Sequence, residues 1–375
     1  MNARTRRLTT FTMPLVLVAV AACTPRAVGA GSACQLSVMS GSSIERDVLS
    51  SAAALGQEVI SVGTRFNGTF WLPLASFSSA GRWAPEVIPA FSDTVIELDD
   101  VSTVGTQAWA VGSFAGKVPV AARWDGAQWI QTPMDDPGPG EDGLAGVKAL
   151  APDLVWAVGR HQVGRGYQTL TERWDGTNWT ALPSPNVGST SNSLKEVDST
   201  GANDVWSVGW YVHDQHYRPL IEHWDGKTWS IVPTPDVGPG DGFLSGVVAV
   251  ATNDAWAVGW TSQHGSRRPL IERWDGHSWS LVEPPPEATN ASLTAAAAIP
   301  DGLLTVGRLV TGTQTRPLAL LRNGDTWSMV PTPVGETASF TGVTVDASDT
   351  IWAVGTAFPD NNVAESLVMT GCPAS

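Results

Sequence analysis

The amino-acid sequence predicts an all-β fold assembled from repeated units, and three observations support this prediction. Helix-favouring residues are sparse: charged residues make up only 15% of the 375 positions, and Lys occurs four times. A short apolar segment ending in Val-Gly recurs, with its glycines 47 to 50 residues apart. A second motif, Trp-Asp-Gly-x-x-Trp, lies between these segments. Repeats of this length that carry strands are typical of radial β architectures.

Each unit is predicted to contain four short strands, here named a to d. In the fifth unit, strand a is residues 244–250, strand b is 256–259, strand c is 269–274 and strand d is 279–282. The Asp-Gly pair between strands c and d favours a tight hairpin turn. A longer polar loop is expected between strands b and c. The repeat glycines number seven, so seven units are expected: Gly63, Gly112, Gly159, Gly209, Gly259, Gly307 and Gly355.

The seventh unit stops after its third strand, at residues 364–371. A strand-like segment at residues 35–41 precedes the first complete unit and can supply the missing outer strand. The sequence therefore predicts a seven-bladed β-propeller of four-stranded antiparallel blades, with the last blade closed by the N-terminal strand.

The first 22 residues have the features of a secretory signal peptide. Basic Arg4, Arg6 and Arg7 precede an apolar run, which ends in Val20-Ala21-Ala22-Cys23. This ending resembles the lipobox of bacterial lipoproteins, which implies lipidation at Cys23. Ordinary cleavage without lipidation is the alternative. We expect a signal peptide at 1–22, a lipid-anchor tether at 23–33 and the propeller at 34–375, with the protein anchored on the extracytoplasmic side of the cell membrane.

Two cysteines remain after Cys23, and they lie near the two ends of the propeller. Strands c and d of one blade are antiparallel, so Cys372 at the end of c is expected beside Cys34 at the start of d. An even pair in an oxidising compartment favours a disulfide. The prediction is a Cys34–Cys372 disulfide that closes the ring.

These repeats resemble the secreted propellers of the galactose oxidase and kelch type, especially the Trp-rich repeat propellers of actinobacterial lipoproteins. The resemblance covers about residues 35 to 372 and implies a fold, not an activity. Kelch units carry two glycines after strand b, and this chain has one. Copper-radical chemistry of the galactose oxidase type needs a Tyr cross-linked to a Cys. Both remaining cysteines are assigned to the disulfide, so this chemistry is not expected here.

Residues that recur among the units are interpreted as structural. The paired Trp side chains are expected to pack between blades, with sugar stacking as the alternative. The Asp of each Asp-Gly turn is assigned to turn geometry and not to metal binding. Glu172, Glu222 and Glu272 recur in strand c, and a pairing with Arg173 or Arg273 is favoured over a glycosidase-like role.

The b–c connections of units three to five depart from the repeat, and they hold the candidate binding residues. Loops on a rigid scaffold commonly carry function, although exposed loops are often polar without one. The His213-x-x-His216 spacing lacks a third ligand, so no metal site is predicted. The candidates, expected to form one basic and aromatic surface, are Arg160, His161, Tyr167, His213, His216, Tyr217, Arg218, His264, Arg267 and Arg268.

The formal charge of −14 disfavours nucleic acid as a partner. No nucleophile elbow, zinc-protease helix or phosphate-binding loop occurs, so no catalytic residue or cofactor is assigned. The favoured function is a non-catalytic cell-surface lipoprotein whose propeller face binds a protein or glycan. The alternatives are an extracellular glycan-active hydrolase or lyase, and an envelope assembly scaffold.

Overall fold

The computed structural model describes residues 35–39, 42, 44–79, 82–88, 95–134, 137–138, 140–263, 265–300, 302–332, 337–359 and 363–373. All secondary structure in this part of the chain is β-strand, in 28 strands. No helix long and apolar enough to cross a membrane occurs among these residues.

The strands form seven four-stranded sheets. The first strand of the chain is β1 (Ser37–Val38). Blade 1 contains β2 (Asp47–Leu55), β3 (Glu58–Phe66), β4 (Trp71–Ser79) and β5 (Arg82–Val87). Blade 2 contains β6 (Ile96–Val104), β7 (Gln107–Phe114), β8 (Val118–Trp124) and β9 (Trp129–Thr132). Blade 3 contains β10 (Gly143–Ala151), β11 (Leu154–Val163), β12 (Gly166–Trp174) and β13 (Trp179–Ala181).

The remaining blades follow the same order. Blade 4 contains β14 (Asn192–Gly201), β15 (Asp204–His213), β16 (His216–Trp224) and β17 (Trp229–Ile231). Blade 5 contains β18 (Asp241–Ala251), β19 (Asp254–Gln263), β20 (Ser266–Trp274) and β21 (Trp279–Leu281). Blade 6 contains β22 (Ala291–Ile299), β23 (Gly302–Thr311), β24 (Gln314–Asn323) and β25 (Thr326–Met329). Blade 7 contains β26 (Thr337–Val345), β27 (Thr350–Phe358), β28 (Glu365–Pro373) and β1.

The blades stand in a ring, with strand a of each blade innermost, so the predicted seven-bladed β-propeller is confirmed. Strand β1 pairs antiparallel with β28 and places Ser37 opposite Thr370. The Met39 N–H donates a further hydrogen bond to the Val368 carbonyl at 2.9 Å. The prediction that the N-terminal strand closes the last blade is also confirmed.

The predicted signal peptide, tether and lipidated Cys23 all lie outside the described residues. Cys34 lies outside them as well, and Cys372 belongs to β28. Lipidation and the Cys34–Cys372 disulfide therefore stay predictions.

The recurring Trp residues pack between neighbouring blades. Trp156 of strand b is fully buried, and its ring lies 5.0 Å from Trp224 and 5.3 Å from Trp229 of the next blade. The same triad forms around two other strand-b residues, Trp109 with Trp174 and Trp179, and Trp206 with Trp274 and Trp279. Buried apolar side chains of the described residues form seven clusters, each drawn from two adjacent blades. The structural interpretation of these Trp residues is confirmed.

Each repeat glycine lies where strand b approaches strand a too closely for a side chain. A Cβ added to Gly209 would lie 2.0 Å from the Ser193 carbonyl oxygen, and one on Gly63 would lie 2.0 Å from the Val48 carbonyl oxygen. The same close approach occurs at the other five repeat glycines. Glycine is therefore required at this position of the Val-Gly motif, because strand a leaves no space for a side chain.

The Asp of each Trp-Asp-Gly motif organises the c–d turn. The Asp175 carboxylate accepts backbone N–H bonds from Thr177 and Asn178, each at 2.8 Å. These bonds lower the pKa of Asp175, and Gly176 adopts a φ of 98° that favours glycine. The turn role predicted for these Asp residues is confirmed, and it repeats at Asp125, Asp225 and Asp275.

Candidate functional site

The described candidate binding residues, which are all of the set except His264, lie on one side of the ring, which we call the hairpin face. It is formed by the b–c turns and the d–a connections, because strands alternate in direction within each blade. The a–b and c–d turns lie on the opposite side. Three consecutive blades carry the candidates, so the structure places them on the same face.

The prediction of long b–c loops is wrong. Strands b and c stay paired almost to their ends, with Val163 opposite Gly166 and His213 opposite His216. Two residues form each turn, and Asp214 and Gln215 of blade 4 both have positive φ. This geometry matches the right-handed twist of a tight hairpin. The candidates therefore lie on rigid strand ends, and His264 lies outside the described residues.

In blade 3, Arg160 and Tyr167 form one unit. The Arg160 guanidinium lies 4.3 Å from the centre of the Tyr167 ring. The Tyr167 hydroxyl donates a hydrogen bond to Glu141 at 2.9 Å, and this bond raises the pKa of the tyrosine. His161 stands beside them on β11, half-buried. A carboxylate therefore lies within the expected basic surface.

Asp241, the first residue of blade 5, organises the hairpin end of blade 4. Its carboxylate is 3.1 Å from the His216 ring nitrogen Nδ1, and it accepts the Tyr217 N–H at 3.1 Å. Burial alone would raise the pKa of Asp241, but bonds from Tyr217, His216 and Ser262 lower it overall. His213 is exposed and lies 3.4 Å from Asp214. Two carboxylates thus accompany the histidines, and this face is mixed in charge.

Arg218 and Arg268 have different surroundings. The Arg218 guanidinium donates hydrogen bonds to the carbonyls of Gly238 at 3.0 Å and Gly240 at 2.5 Å, so it fastens a d–a connection. Arg268 is exposed and lines a cavity of about 550 Å³ beside the Pro284–Pro286 segment. Both residues belong to an Arg-Pro-Leu sequence that also occurs in blade 6 at Arg316.

The structure adds an aromatic surface that the sequence analysis missed. Trp210, Tyr217, Phe243 and Trp260 form a continuous group across blades 4 and 5, which we call the aromatic platform. Neighbouring ring centres are 4.9 to 6.1 Å apart, and Phe243 and Trp260 are stacked at 5.6 Å. Arg267 lies 4.1 Å above the Trp260 ring. Tyr217 is 40% exposed, so the platform reaches the surface.

The two platform tryptophans had a detectable sequence signal. Both follow a repeat glycine directly, at a position that differs among the blades. In chain order the seven residues there are Thr64, Ser113, Arg160, Trp210, Trp260, Arg308 and Thr356. A position-by-position comparison of the repeats would have identified blades 3 to 6 as exceptional.

The recurring glutamates are buried. Glu222 is fully buried and accepts a hydrogen bond from the Ser184 hydroxyl at 3.0 Å. Burial raises the pKa of Glu222 and of Glu272 to about 8. The favoured pairing with arginine is wrong for Glu272, because Arg273 instead pairs with Asp254 at 3.0 Å. Adjacent strand residues point to opposite faces of a sheet, which explains the difference.

Within the described ranges, no group of three His, Cys, Asp or Glu side chains is arranged to hold a metal ion. Strands a of all seven blades line a central channel with a cavity of about 690 Å³. A second cavity of about 250 Å³ opens beside it on the hairpin face, and Arg160 lines it.

Comparison with known proteins shows similarity of fold alone. No protein-family model and no curated protein sequence matches the chain. Solved structures with a similar fold include YCF48 bound to a D1 peptide, with 14% identity over 92% of this chain and 96% of that chain and a TM-score of 0.58. An ulvan lyase bound to a glucuronate–rhamnose sulfate disaccharide repeat has 10% identity over 87% and 94% of the two chains and a TM-score of 0.57.

A third similar structure is the extracellular domain of the one-component system BT4673 from B. thetaiotaomicron. It has 11% identity over 89% of this chain and a TM-score of 0.57, and this chain spans 40% of its length. All three structures support the β-propeller assignment.

Proposed function

We propose that the protein is a non-catalytic, lipid-anchored protein of the cell surface that binds a protein or glycan partner through its hairpin face. The observation that carries the proposal is the aromatic platform. Recurring tryptophans are buried between blades, whereas Tyr217 and the Trp260–Arg267 pair lie at the surface. Exposed aromatic and arginine side chains are the types enriched where proteins bind partners.

The surroundings of the platform define the partner chemistry. Arg267 and Arg308 influence each other electrostatically, and together with burial Arg308 lowers the pKa of Arg267. A hydroxyl-rich or acidic partner segment can stack on the aromatic rings and accept hydrogen bonds from the guanidinium. Structures of similar fold bind a peptide in one case and an acidic saccharide in another. We therefore include both a protein segment and a glycan among the proposed partners.

The test is crosslinking and recovery of partners from native membranes, together with a glycan-binding panel. The double variant Tyr217→Ser/Arg267→Ala should lose saturable binding and keep its β circular dichroism spectrum. Arg316→Ala in blade 6 is the matched control, since this exposed arginine lies on the next hairpin. Unchanged partner recovery by the double variant would refute the binding role of the aromatic platform. Release of a product from a glycan would favour the hydrolase or lyase alternative.

The anchoring part of the proposal rests on the leader sequence. Cys23→Ala should move the protein out of the membrane fraction, because two or more acyl chains are what hold a lipoprotein on a bilayer. Mass spectrometry of the N-terminal peptide measures the modification directly. An unmodified Cys23 in membrane-bound wild type would contradict lipid anchoring.

The closing disulfide is supported by the pairing of β1 with β28. Continuing the register from Ser37 opposite Thr370 brings position 35 opposite Cys372, one residue from Cys34. Exported protein should therefore contain no free thiol at either cysteine, and Cys372→Ser should lower the melting temperature. Two free thiols in mature protein would contradict the disulfide.

A further inference from the structure

A ring of seven β-bulge residues lines the central channel. In every blade the pairing of strands a and b shifts by one residue at the same place, next to the repeat glycine. The extra residue projects into the channel. We call these residues the bulge ring; in chain order they are Ser50, Asp99, Ala145, Lys195, Ser245, Thr294 and Thr341.

Five members of the bulge ring are small and uncharged, and some have a clear structural role. The Thr294 hydroxyl donates to the Phe340 carbonyl at 2.9 Å, and the Thr341 hydroxyl donates to the Leu49 carbonyl at 2.7 Å. These bonds join adjacent blades. Asp99 and Lys195 are the two exceptions, and they have opposite charges.

Neither Asp99 nor Lys195 has a hydrogen-bond or ion-pair partner among the described residues. They come from blades 2 and 4, and only the small Ala145 of blade 3 lies between them in the ring. The neighbouring Lys148 shows the contrast, because it forms an ion pair with Asp198 at 2.5 Å. In the channel wall, Lys148 and Asp198 thus pair with each other, whereas Asp99 and Lys195 form no ion pair.

Asp99 and Lys195 face the cavity of about 250 Å³ on the hairpin face. Asp99 and Lys195 line both this cavity and the channel, so they stand where the two meet. Arg160 lines the cavity as well and interacts electrostatically with both residues. Glu97 and Glu141 also lie in its wall. The wall of this cavity therefore carries both cations and carboxylates.

We propose that this cavity binds a small zwitterion of the α-amino-acid class, with its ammonium group at Asp99 and its carboxylate at Lys195 and Arg160. A simple anion would meet the carboxylates of Glu97 and Asp99, and a simple cation would meet Lys195 and Arg160. A zwitterion matches both kinds of charge, because each of its charged groups can pair with a group of opposite charge. Ala145, which lies between Asp99 and Lys195 in the bulge ring, also lines this cavity.

The protonation energetics agree with this geometry. The Asp99 side chain is exposed to the channel, but the protein around it partly desolvates its carboxyl and raises the pKa of Asp99 to about 6; Lys195 and Arg160 oppose this rise, and Glu97 and Asp100 add to it. Burial also lowers the pKa of Lys195. Both charges are therefore incompletely stabilised by the protein alone, and an oppositely charged ligand group would stabilise each of them.

The test begins with thermal-shift measurements of the full chain against the free L-amino acids, followed by calorimetry with the best one. Its amide lacks the carboxylate, and its N-acetyl derivative lacks the ammonium group. Wild type should bind the free amino acid at least about tenfold more tightly than either derivative. Absence of binding by every amino acid, or equal binding of the derivatives, would overturn the proposal without any variant.

Variants then assign the two groups. Asp99→Asn should abolish the preference over the N-acetyl derivative, and Lys195→Met should reduce the preference over the amide, because Arg160 still faces the carboxylate. Ser245→Ala, in the same bulge ring, is the control and should bind like wild type. If Asp99→Asn and Lys195→Met only lower the melting temperature and leave ligand preference intact, the two residues are a structural pair and the proposal is wrong. This site is independent of the aromatic platform, so Tyr217→Ser/Arg267→Ala should not affect it.

Discussion

The blade interfaces and the hairpin face use the same residue types for different purposes. Trp156 at an interface is fully buried against two tryptophans of the next blade. Trp260 on the hairpin face is half-buried and carries Arg267 above its ring. The first position recurs around the ring, whereas the second varies from blade to blade. In this molecule, repetition identifies the framework and departure from repetition identifies the candidate sites.

The strongest test of this comparison is removal of one tryptophan from each region. Trp156→Ala should lower the free energy of unfolding by about 3 to 5 kcal/mol, because it leaves a cavity between blades 3 and 4. Trp260→Ala should cost clearly less and should weaken partner binding. Chemical denaturation measures the first effect. Equal losses of stability in the two variants would show that Trp156 and Trp260 both have a structural role.

The repeat glycine offers a second test with a matched control. Gly209→Ala should destabilise by about 3 kcal/mol, because the new Cβ would lie 2.0 Å from the Ser193 carbonyl and the strands must separate. Gly201 lies in the same blade, and a Cβ added there would have no atom within 4 Å, so Gly201→Ala should be nearly neutral. Denaturant midpoints of the two variants give the comparison, and similar midpoints would refute the steric explanation.

The buried glutamates predict an effect of pH on stability. Glu222 and Glu272 have pKa values of about 8 in the folded protein against an ordinary value of 4.5, so the folded state holds protons that the unfolded state has released. Stability should therefore fall as pH rises from 4.5 to 8, by at most about 1.4 kcal/mol per pH unit for each carboxyl, and level off above that.

Urea unfolding at pH 6 and pH 9 measures this loss. Glu272→Gln should reduce the difference between the two pH values, because its amide does not titrate. Glu283→Gln removes an exposed carboxyl from the same blade and is the control. A pH dependence that is the same in wild type and Glu272→Gln would contradict a buried, protonated Glu272.

The fold was predictable because its determinants repeat within the chain. Val-Gly segments occur in all seven units, and Trp-Asp-Gly turns with their paired tryptophans occur in four. Each of these motifs reflects a local structural requirement of the blade. The candidate site was only partly predictable. Arg160 and Tyr217 were found because they depart from the repeat, but Arg218 makes its bonds to a d–a connection whose path no local motif indicates.

Asp99 and Lys195 show why the rest was missed. Their side chains reach the channel through a one-residue shift in strand pairing, which cannot be read from alternation of apolar and polar residues. The signal exists only in the comparison of repeats, where the residue after the recurring Leu or Phe of strand a is small in five blades and charged in two. Aligning the units by strand a would have revealed it.

The pairing of β1 with β28 also determines the order in which the molecule can form. Blades 1 to 6 each consist of strands close together in the chain, but Ser37 and Thr370 are 333 residues apart. Joining distant segments is slow, because the entropy of closing a long loop must be overcome first. Blade 7 should therefore form last, and until then strand β28 presents an open edge. A newly synthesised chain would be most open to aggregation, or to strand exchange with another copy, in that interval.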